Sequence, residues 1–371
     1  MSFEGGLNST MRRLRIKTTD DEERCFVLKS TRVTALDQSK NLGLAREALF
    51  FNELGDNFKS SLPKVYFSHG NMSTGEKYII FEDLSDAVQT GYFFGPGSPL
   101  NWGKDLIAEQ KSLSHVTMRT IAEEAIKLAA RIHGTYWKKA DLLVDGRAWL
   151  RGAEWLQGAG RAAWQGGQAY AKHLWEKTKS EKMPAEGYGV RWNPDVVALL
   201  DESMQRINWE AFQDRIQEDP WTLVHGDYHP ANMLWRATSP KPADNSADAE
   251  ARASSLVLLD WEVVGLGSGA QDVGQYVISH MSPPTRRECE EPLMRLYYSQ
   301  LVSYGTVSTE EYPWEKCWGE YVAGGTERWV WLLALLSQMC PDPMVQYFHD
   351  QVEAFVQDHN VTAATVGMPR L

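Results

Sequence analysis

Short apolar runs dominate the first eighty residues, and long helical stripes dominate the rest. Residues 11–17 intersperse Met11, Leu14 and Ile16 with basic side chains. Asp20-Asp21-Glu22-Glu23 then makes a charged turn, and 25–29 form a second short apolar run, so the pair predicts a hairpin. Leu44, Ala48, Phe51 and Leu54 recur at helical spacing, which predicts a helix over 44–54. Two more strands, 64–68 and 77–81, flank the turn-forming stretch 70–75. Beyond residue 84 the period changes. Ile121, Ala125, Leu128 and Ile132 share one face of a long helix over 117–137. Similar stripes predict helices over 153–177, 195–216, 292–301, 326–339 and 344–356. Two short strands, 232–235 and 256–259, interrupt them. The Ala-, Ser-, Pro- and Asp-rich stretch 237–255 between these strands predicts a flexible surface loop. The pattern is α+β, with a small β-rich part over 1–84 and a larger helical part over 85–371, and no internal repeat.

Composition narrows the partners. A net charge of −11 argues against nucleic acid, whose phosphates demand clustered Lys and Arg. Four cysteines without a C-x-x-C pair suggest neither a zinc site nor a disulfide framework, and fit a reducing cytoplasm. The first twenty residues lack an apolar core of signal-peptide type. The most apolar run, 329–336, is too short to span a bilayer. No membrane partner is expected. The tryptophans at 137, 155, 164 and 175 fall within the helical stripes and read as packing residues.

The chemistry concentrates in Leu223-Val224-His225-Gly226-Asp227-Tyr228-His229-Pro230-Ala231-Asn232. It holds H-x-D-x-x-x-x-N, the spacing of a kinase catalytic loop. There a carboxylate accepts the proton of an attacking hydroxyl, and an amide five residues on holds a metal ion across the same turn. Asp227 is thus the candidate base. The apolar run Leu256-Val257-Leu258-Leu259 ends in Asp260-Trp261-Glu262. Strands on either side of the 237–255 loop would set Asn232 and Asp260 side by side, and Mg²⁺ favours such oxygens. Lys29 closes the run Phe26-Val27-Leu28-Lys29, where a lysine reaches nucleotide phosphates when a helix carboxylate holds it. Glu47, eighteen residues on, is the preferred partner over Glu53. His225 reads as a loop-bracing residue, and His229 has no assigned role. Asp272 reads as a helix cap or as a brace for the loop.

These motifs resemble the aminoglycoside phosphotransferase and choline-kinase-like superfamily. Glu82-Asp83-Leu84, Leu62-Pro63-Lys64-Val65-Tyr66, His133 and Trp137 narrow the resemblance to its ecdysteroid-kinase-like branch. The resemblance implies a protein-kinase-like fold of two lobes, 1–84 and 85–371. It also implies ATP, Mg²⁺ and transfer of the γ-phosphate to a hydroxyl of a small-molecule acceptor. Glu82 and Leu84 would then offer main-chain groups to adenine, with Phe81 behind the base. Gly5-Gly6-Leu7-Asn8-Ser9-Thr10 would stand where a loop covers the phosphates, with Ser9 near the nucleotide. The strand before that loop has only residues 1–4 to draw on and is expected to be short or missing.

Two other readings remain. Gly226-Asp227-Tyr228-His229 contains G-D-x-H, a spacing that could feed a two-metal phosphoesterase, though that site needs further Asp and His ligands. A nucleotide-binding protein without turnover would keep the fold, but every residue of the chemical step is present. No D-F-G or A-P-E follows Asp260, which argues against a protein kinase.

Overall fold

A computed structural model of the chain describes residues 2–3, 9–17, 19, 22–144, 146–237 and 255–366. Residues 5–8 of the expected phosphate-covering loop, and 238–254 of the expected 237–255 loop, lie outside the described residues.

Five antiparallel strands form the first part: β1 (Ser2–Phe3), β2 (Ser9–Lys17), β3 (Glu23–Thr31), β4 (Val65–Asn71) and β5 (Glu76–Glu82). Their order is β1-β2-β3-β5-β4. The predicted hairpin is β2–β3, in which Met11 faces Lys29, and Lys29 in turn faces Ile79 of β5. The first strand is a short one of two residues, Ser2 facing Arg12 and Phe3 facing Met11.

Between β3 and β4 run the helices Leu36–Leu42 and Arg46–Glu53. Gly43 ends the first in the left-handed region, φ 67°, where a side chain would be strained. The second helix has two apolar faces. Ala48 packs against Ile79 and Phe81 of the sheet. Phe50, together with Leu54, Phe58 and Leu62, joins the large core of the helical part.

The main helices of that part are Met118–Thr135, Arg161–Lys177, Pro194–Gln205, Trp209–Glu218, Gly269–His280, Pro283–Ser303, Trp314–Met339 and Asp342–His359. Two small sheets sit among them. One orders β6 (Val88–Gln89), β8 (Met233–Trp235) and β9 (Leu256–Leu258); the other pairs β7 (Thr222–Val224) with β10 (Gly265–Gly267). Among the described residues no helix is long and apolar enough to cross a membrane.

Several helix boundaries differ from the sequence expectation. The 153–177 helix breaks into Ala153–Leu156 and Arg161–Lys177, because Gly158 and Gly160 both take φ 75°. The 195–216 helix breaks before Trp209, where the Asn208 side chain accepts the Ala211 N–H and starts a new helix. The helix expected from 292 begins at Pro283, capped by Ser282, and carries Pro292 in its interior. The 326–339 helix extends back to Trp314. The tryptophans do pack: Trp164 stacks on Phe212 with ring centroids 4.7 Å apart, in a satellite core with Trp155, Trp209 and Ile216.

Candidate active site

The loop between β7 and β8 is held by its own residues and by one buried carboxylate. Gly226 takes φ 79°, and a Cβ there would stand 2.5 Å from the Val263 carbonyl oxygen, so only glycine fits. Asp272 lies in the first turn of Gly269–His280. Its oxygens accept the N–H groups of His225 (2.7 Å) and Gly226 (3.0 Å), so it braces the loop. His225 is buried, and burial lowers its pKa. Its Nδ1 accepts the Asp227 N–H at 3.2 Å while Nε2 donates to the Leu259 carbonyl at 2.8 Å. That bonding fits a neutral, structural histidine.

The Asp227 carboxylate has two differently furnished sides. Oδ2 accepts from Asn232 Nδ2 (3.1 Å) and His229 Nε2 (3.3 Å). Oδ1 accepts from Gln275 Nε2 (2.8 Å) and Arg328 Nη2 (3.2 Å). Burial pushes this carboxyl up, but His229, then Arg328 and Gln275, outweigh it and hold the group well below the usual carboxylate range. Asn232 also donates to the Asp227 carbonyl at 2.9 Å, and with its amide nitrogen so used its oxygen faces elsewhere. The Asn232 carbonyl accepts the Leu259 N–H at 2.8 Å, and Met233 pairs with Leu258. The paired strands therefore set Asn232 next to the end of β9, where Asp260 takes the left-handed conformation, φ 65°.

Across the cleft, Lys29 lies within β3, two residues short of its end. Its ammonium meets Glu47 at 2.8 Å, Asp260 at 2.8 Å and Glu262 at 3.1 Å. Burial works against its charge, yet Glu47, Asp260 and Glu262 together raise its pKa well above the ordinary lysine value. Glu47 is the partner expected over Glu53, which instead accepts the Trp149 indole N–H at 3.0 Å.

Two members of this cluster were not foreseen. Lys77, almost fully buried, meets Glu47 at 2.5 Å and bonds Glu262 as well. Glu262 is held down to about 2, with burial opposing and Lys29 and Lys77 prevailing. Both had a signal in the sequence. Lys77 shares a strand face with the core residue Ile79, and Glu262 follows Asp260 by two residues beyond the end of β9. Arg328 and Gln275 had none, since only tertiary packing brings their helices to Asp227.

Ser9, expected in a loop, opens β2; it is buried, and its hydroxyl donates to Glu262 at 2.9 Å. Glu82 ends β5 apart from this cluster, with its carboxylate accepting from Arg236 and from the Lys64 N–H, both at 2.8 Å. Leu84 follows it, and its carbonyl accepts the Ala87 N–H at 3.0 Å. Phe81 is buried between sheet and helix. Among the described residues, the clusters of three metal-ligating groups are Glu47, Asp260 and Glu262, and His349, Asp350 and Glu353. Neither contains Asp227 or His229.

Solved structures similar to the chain include an ethanolamine kinase from Plasmodium vivax: 9% identity, 97% of this chain and 82% of that one, TM-score 0.46. Another is the GDP complex of an aminoglycoside 2′-phosphotransferase IIIa mutant: 12% identity, 97% and 91% covered, TM-score 0.46. A third is an aminoglycoside phosphotransferase from Alicyclobacillus acidocaldarius: 12% identity, 99% and 91% covered, TM-score 0.40. No curated protein matches the chain. The ecdysteroid kinase-like family matches residues 168–307, less than half of the chain but the part that carries Asp227, Asn232, Asp260 and Asp272. In that segment the chain is similar to the family that its motifs resembled.

Proposed function

We propose that this chain is a phosphotransferase that moves the γ-phosphate of ATP to a hydroxyl of a small-molecule acceptor. One observation carries the reading: the Asp227–Asn232 pair on one side of the cleft and the Lys29–Glu47–Asp260 chain on the other. Each half matches a separate need of phosphoryl transfer, namely orienting a nucleophile and holding phosphates. The family similarity over 168–307 supports the same chemistry.

In the proposed step the acceptor oxygen forms a bond to the γ-phosphorus as the bond to the β-bridging oxygen breaks. ADP leaves with that electron pair, and the hydroxyl proton passes to Asp227. A carboxylate held well below its ordinary range is a weak base. It therefore orients the hydroxyl first and takes the proton late, as a loose transition state allows.

The donor set suits Mg²⁺: Asp260 is a partly exposed carboxylate, Asn232 has an amide oxygen, and both are hard oxygen ligands. When bound, the ion would neutralise phosphate charge. Lys29 would contact the phosphates with Glu47 as its anchor. Ser9 would act near the nucleotide through Glu262, and the main chain at Glu82 and Leu84 would meet adenine. Residues 1–84 would then act as the nucleotide lobe and 85–371 as the lobe for acceptor and catalytic loop.

An ADP-release screen against hydroxyl-bearing metabolites tests the reading. Asp227→Ala should lower turnover roughly 10²–10⁴-fold while ATP affinity barely changes. Unchanged turnover in that variant would remove the assignment. A thermal shift with ATP and Mg²⁺ but no turnover on any acceptor would favour a nucleotide-binding protein instead.

A further inference from the structure

On the Oδ1 side of Asp227, three hydrogen-bond donors converge without an acceptor. Arg328 is 7% exposed, and Gln271 is 9% exposed. One Nη of Arg328 bonds Asp227, but its Nε is buried and unpartnered, as is Nε2 of Gln271. Arg151 joins them. Its backbone is fixed against β10, with its N–H donating to the Val264 carbonyl and its carbonyl accepting the Leu266 N–H at 2.7 Å. Among the described residues its guanidinium makes no ion pair. Arg151, Arg328 and Gln271 line one small cavity with Val224, Gly226 and Val263, about 20 Å³ in volume. That is room for one water-sized oxygen.

The buried donors of Arg328 and Gln271 demand acceptors, and the half-buried Arg151 beside them adds a second positive charge that favours an anion. Among the described residues the carboxylate paired with Arg328 is Asp227, and it already accepts four bonds. Burial, then Arg328 and Arg46, depress the Arg151 guanidinium to about 9, against a small opposing pull from Asp227. Arg328 approaches Asp227 at Oδ1, whereas Asn232, set beside Asp260, bonds Oδ2, so Arg328 and the nucleotide-facing cluster address different oxygens of the base.

We propose that Arg151, Arg328 and Gln271 form an oxyanion site on the acceptor side of Asp227, so that the acceptor is a hydroxylated acid. This rests on the phosphotransferase reading and narrows its substrate class. The acid projects one oxygen of a carboxylate, sulfate or phosphate into the cavity. Arg328 touches both the cavity and the base, so the hydroxyl and the acidic group lie close together on one molecule. A cationic amino alcohol meets two guanidiniums there and is repelled.

Two measurements decide it. In the first, nucleotide-free protein is titrated with sulfate, using Arg151→Met, Arg328→Met and Lys29→Met as comparisons. Loss of a charge-assisted bond to an oxyanion should weaken sulfate roughly 10–100-fold in the two arginine variants and not in Lys29→Met. Arg151→Lys, which keeps the charge but not the fork, should fall between. Circular dichroism confirms that each variant is folded. If only Lys29→Met loses sulfate, the anion belongs to the nucleotide phosphates and the proposal is wrong. It is equally wrong if wild type and Arg151→Met bind sulfate alike.

In the second measurement, ADP release is compared for glycerate, glycerol and ethanolamine. Preference for glycerate, with its KM raised in Arg151→Met and the ATP KM unchanged, supports the proposal. Preference for glycerol or ethanolamine overturns it. A protein that binds sulfate through Arg151 but gives no thermal shift with ATP would retain the oxyanion site and lose the kinase reading, so the two claims fail separately.

Discussion

Replacing Gly274 by alanine tests whether a close helix crossing is what aims side chains at Asp227. Gly274 lies on Gly269–His280 and faces Gly325 of Trp314–Met339. A Cβ on Gly274 would stand 2.4 Å from the Gly325 Cα and 3.0 Å from its nitrogen. Carbon atoms prefer about 3.5–4.0 Å, so the two helices would have to part by about 1 Å. Backbone atoms have no rotamer through which to retreat. Overpacking of this kind costs about 1–3 kcal/mol, set against at most about 1 kcal/mol from the better helix propensity of alanine. Gly325→Ala is milder, because its Cβ meets the Gly274 Cα at 3.1 Å and the movable Ile278 Cδ1 at 3.2 Å. Gly319→Ala, on the same long helix, meets nothing within 4 Å and should be neutral or stabilising by up to about 1 kcal/mol. Urea unfolding followed by tryptophan fluorescence ranks the three by midpoint at constant slope. The expected order of stability is Gly319→Ala, then Gly325→Ala, then Gly274→Ala. Parting the helices would also stretch the 2.8 Å and 3.2 Å bonds from Gln275 and Arg328 to Asp227. Turnover should therefore fall further in Gly274→Ala than in Gly319→Ala. Equal midpoints for those two variants would refute the packing argument.

Lys77→Met leaves Glu47 and Glu262 buried with one ammonium fewer, and should cost about 3–5 kcal/mol in denaturant melts. The same cluster sets a pH range. Glu262 is depressed from 4.5 to about 2, so its contribution is complete above pH 4.5 and is lost as the pH falls through about 2. Lys29 is raised, so its contribution is complete below 10.5 and is lost only as the pH rises through its higher folded value. Thermal midpoints should therefore be flat between these limits as far as Glu262 and Lys29 govern them, and Glu262→Gln should shrink the acid limb. Asn232→Ala should abolish Mg²⁺-dependent ADP release while leaving the melting temperature nearly unchanged; a normal Mg²⁺ titration would contradict the assignment. Trp164→Ala should cost about 3–5 kcal/mol by opening the satellite core, measured by calorimetry.

What was legible in the sequence was local. The β2–β3 hairpin, the Arg46–Glu53 helix and the β7–β8 loop each announce themselves over a short stretch of chain by period or spacing. The Lys29–Glu47 pair was also readable, because a strand and the helix after it constrain a separation of eighteen residues. Gly269–His280 was visible only as a cap at Asp272, since all twelve of its positions are buried and no polar face marks a period. The breaks at Gly160 and Asn208 were missed because apolar residues continue across them at near-helical spacing. Arg151 and Arg328 carry no motif, and it takes the packed fold to bring them together 177 positions apart in the chain.

The stacking of Phe50 on Trp261, ring centroids 3.8 Å apart and 10° from parallel, bears on how such a cleft opens and closes. Trp261 is fully buried next to Asp260, and Phe50 lies on the helix that carries Glu47. That helix is therefore bolted to the floor of the cleft as firmly as to the sheet above it. Regulation by swinging the helix outward, which would break Lys29 from Glu47, would have to unstack two buried rings and open the main core. Closure would then keep the helix and β5 together, because Ala48 packs on Ile79 and Phe81 and Lys77 meets Glu47, and would shift the outer strands, β2 foremost. Hydrogen exchange should then group the amides of 47–53 with the slow core around Trp261, and leave β2 and β3 to exchange on their own faster schedule.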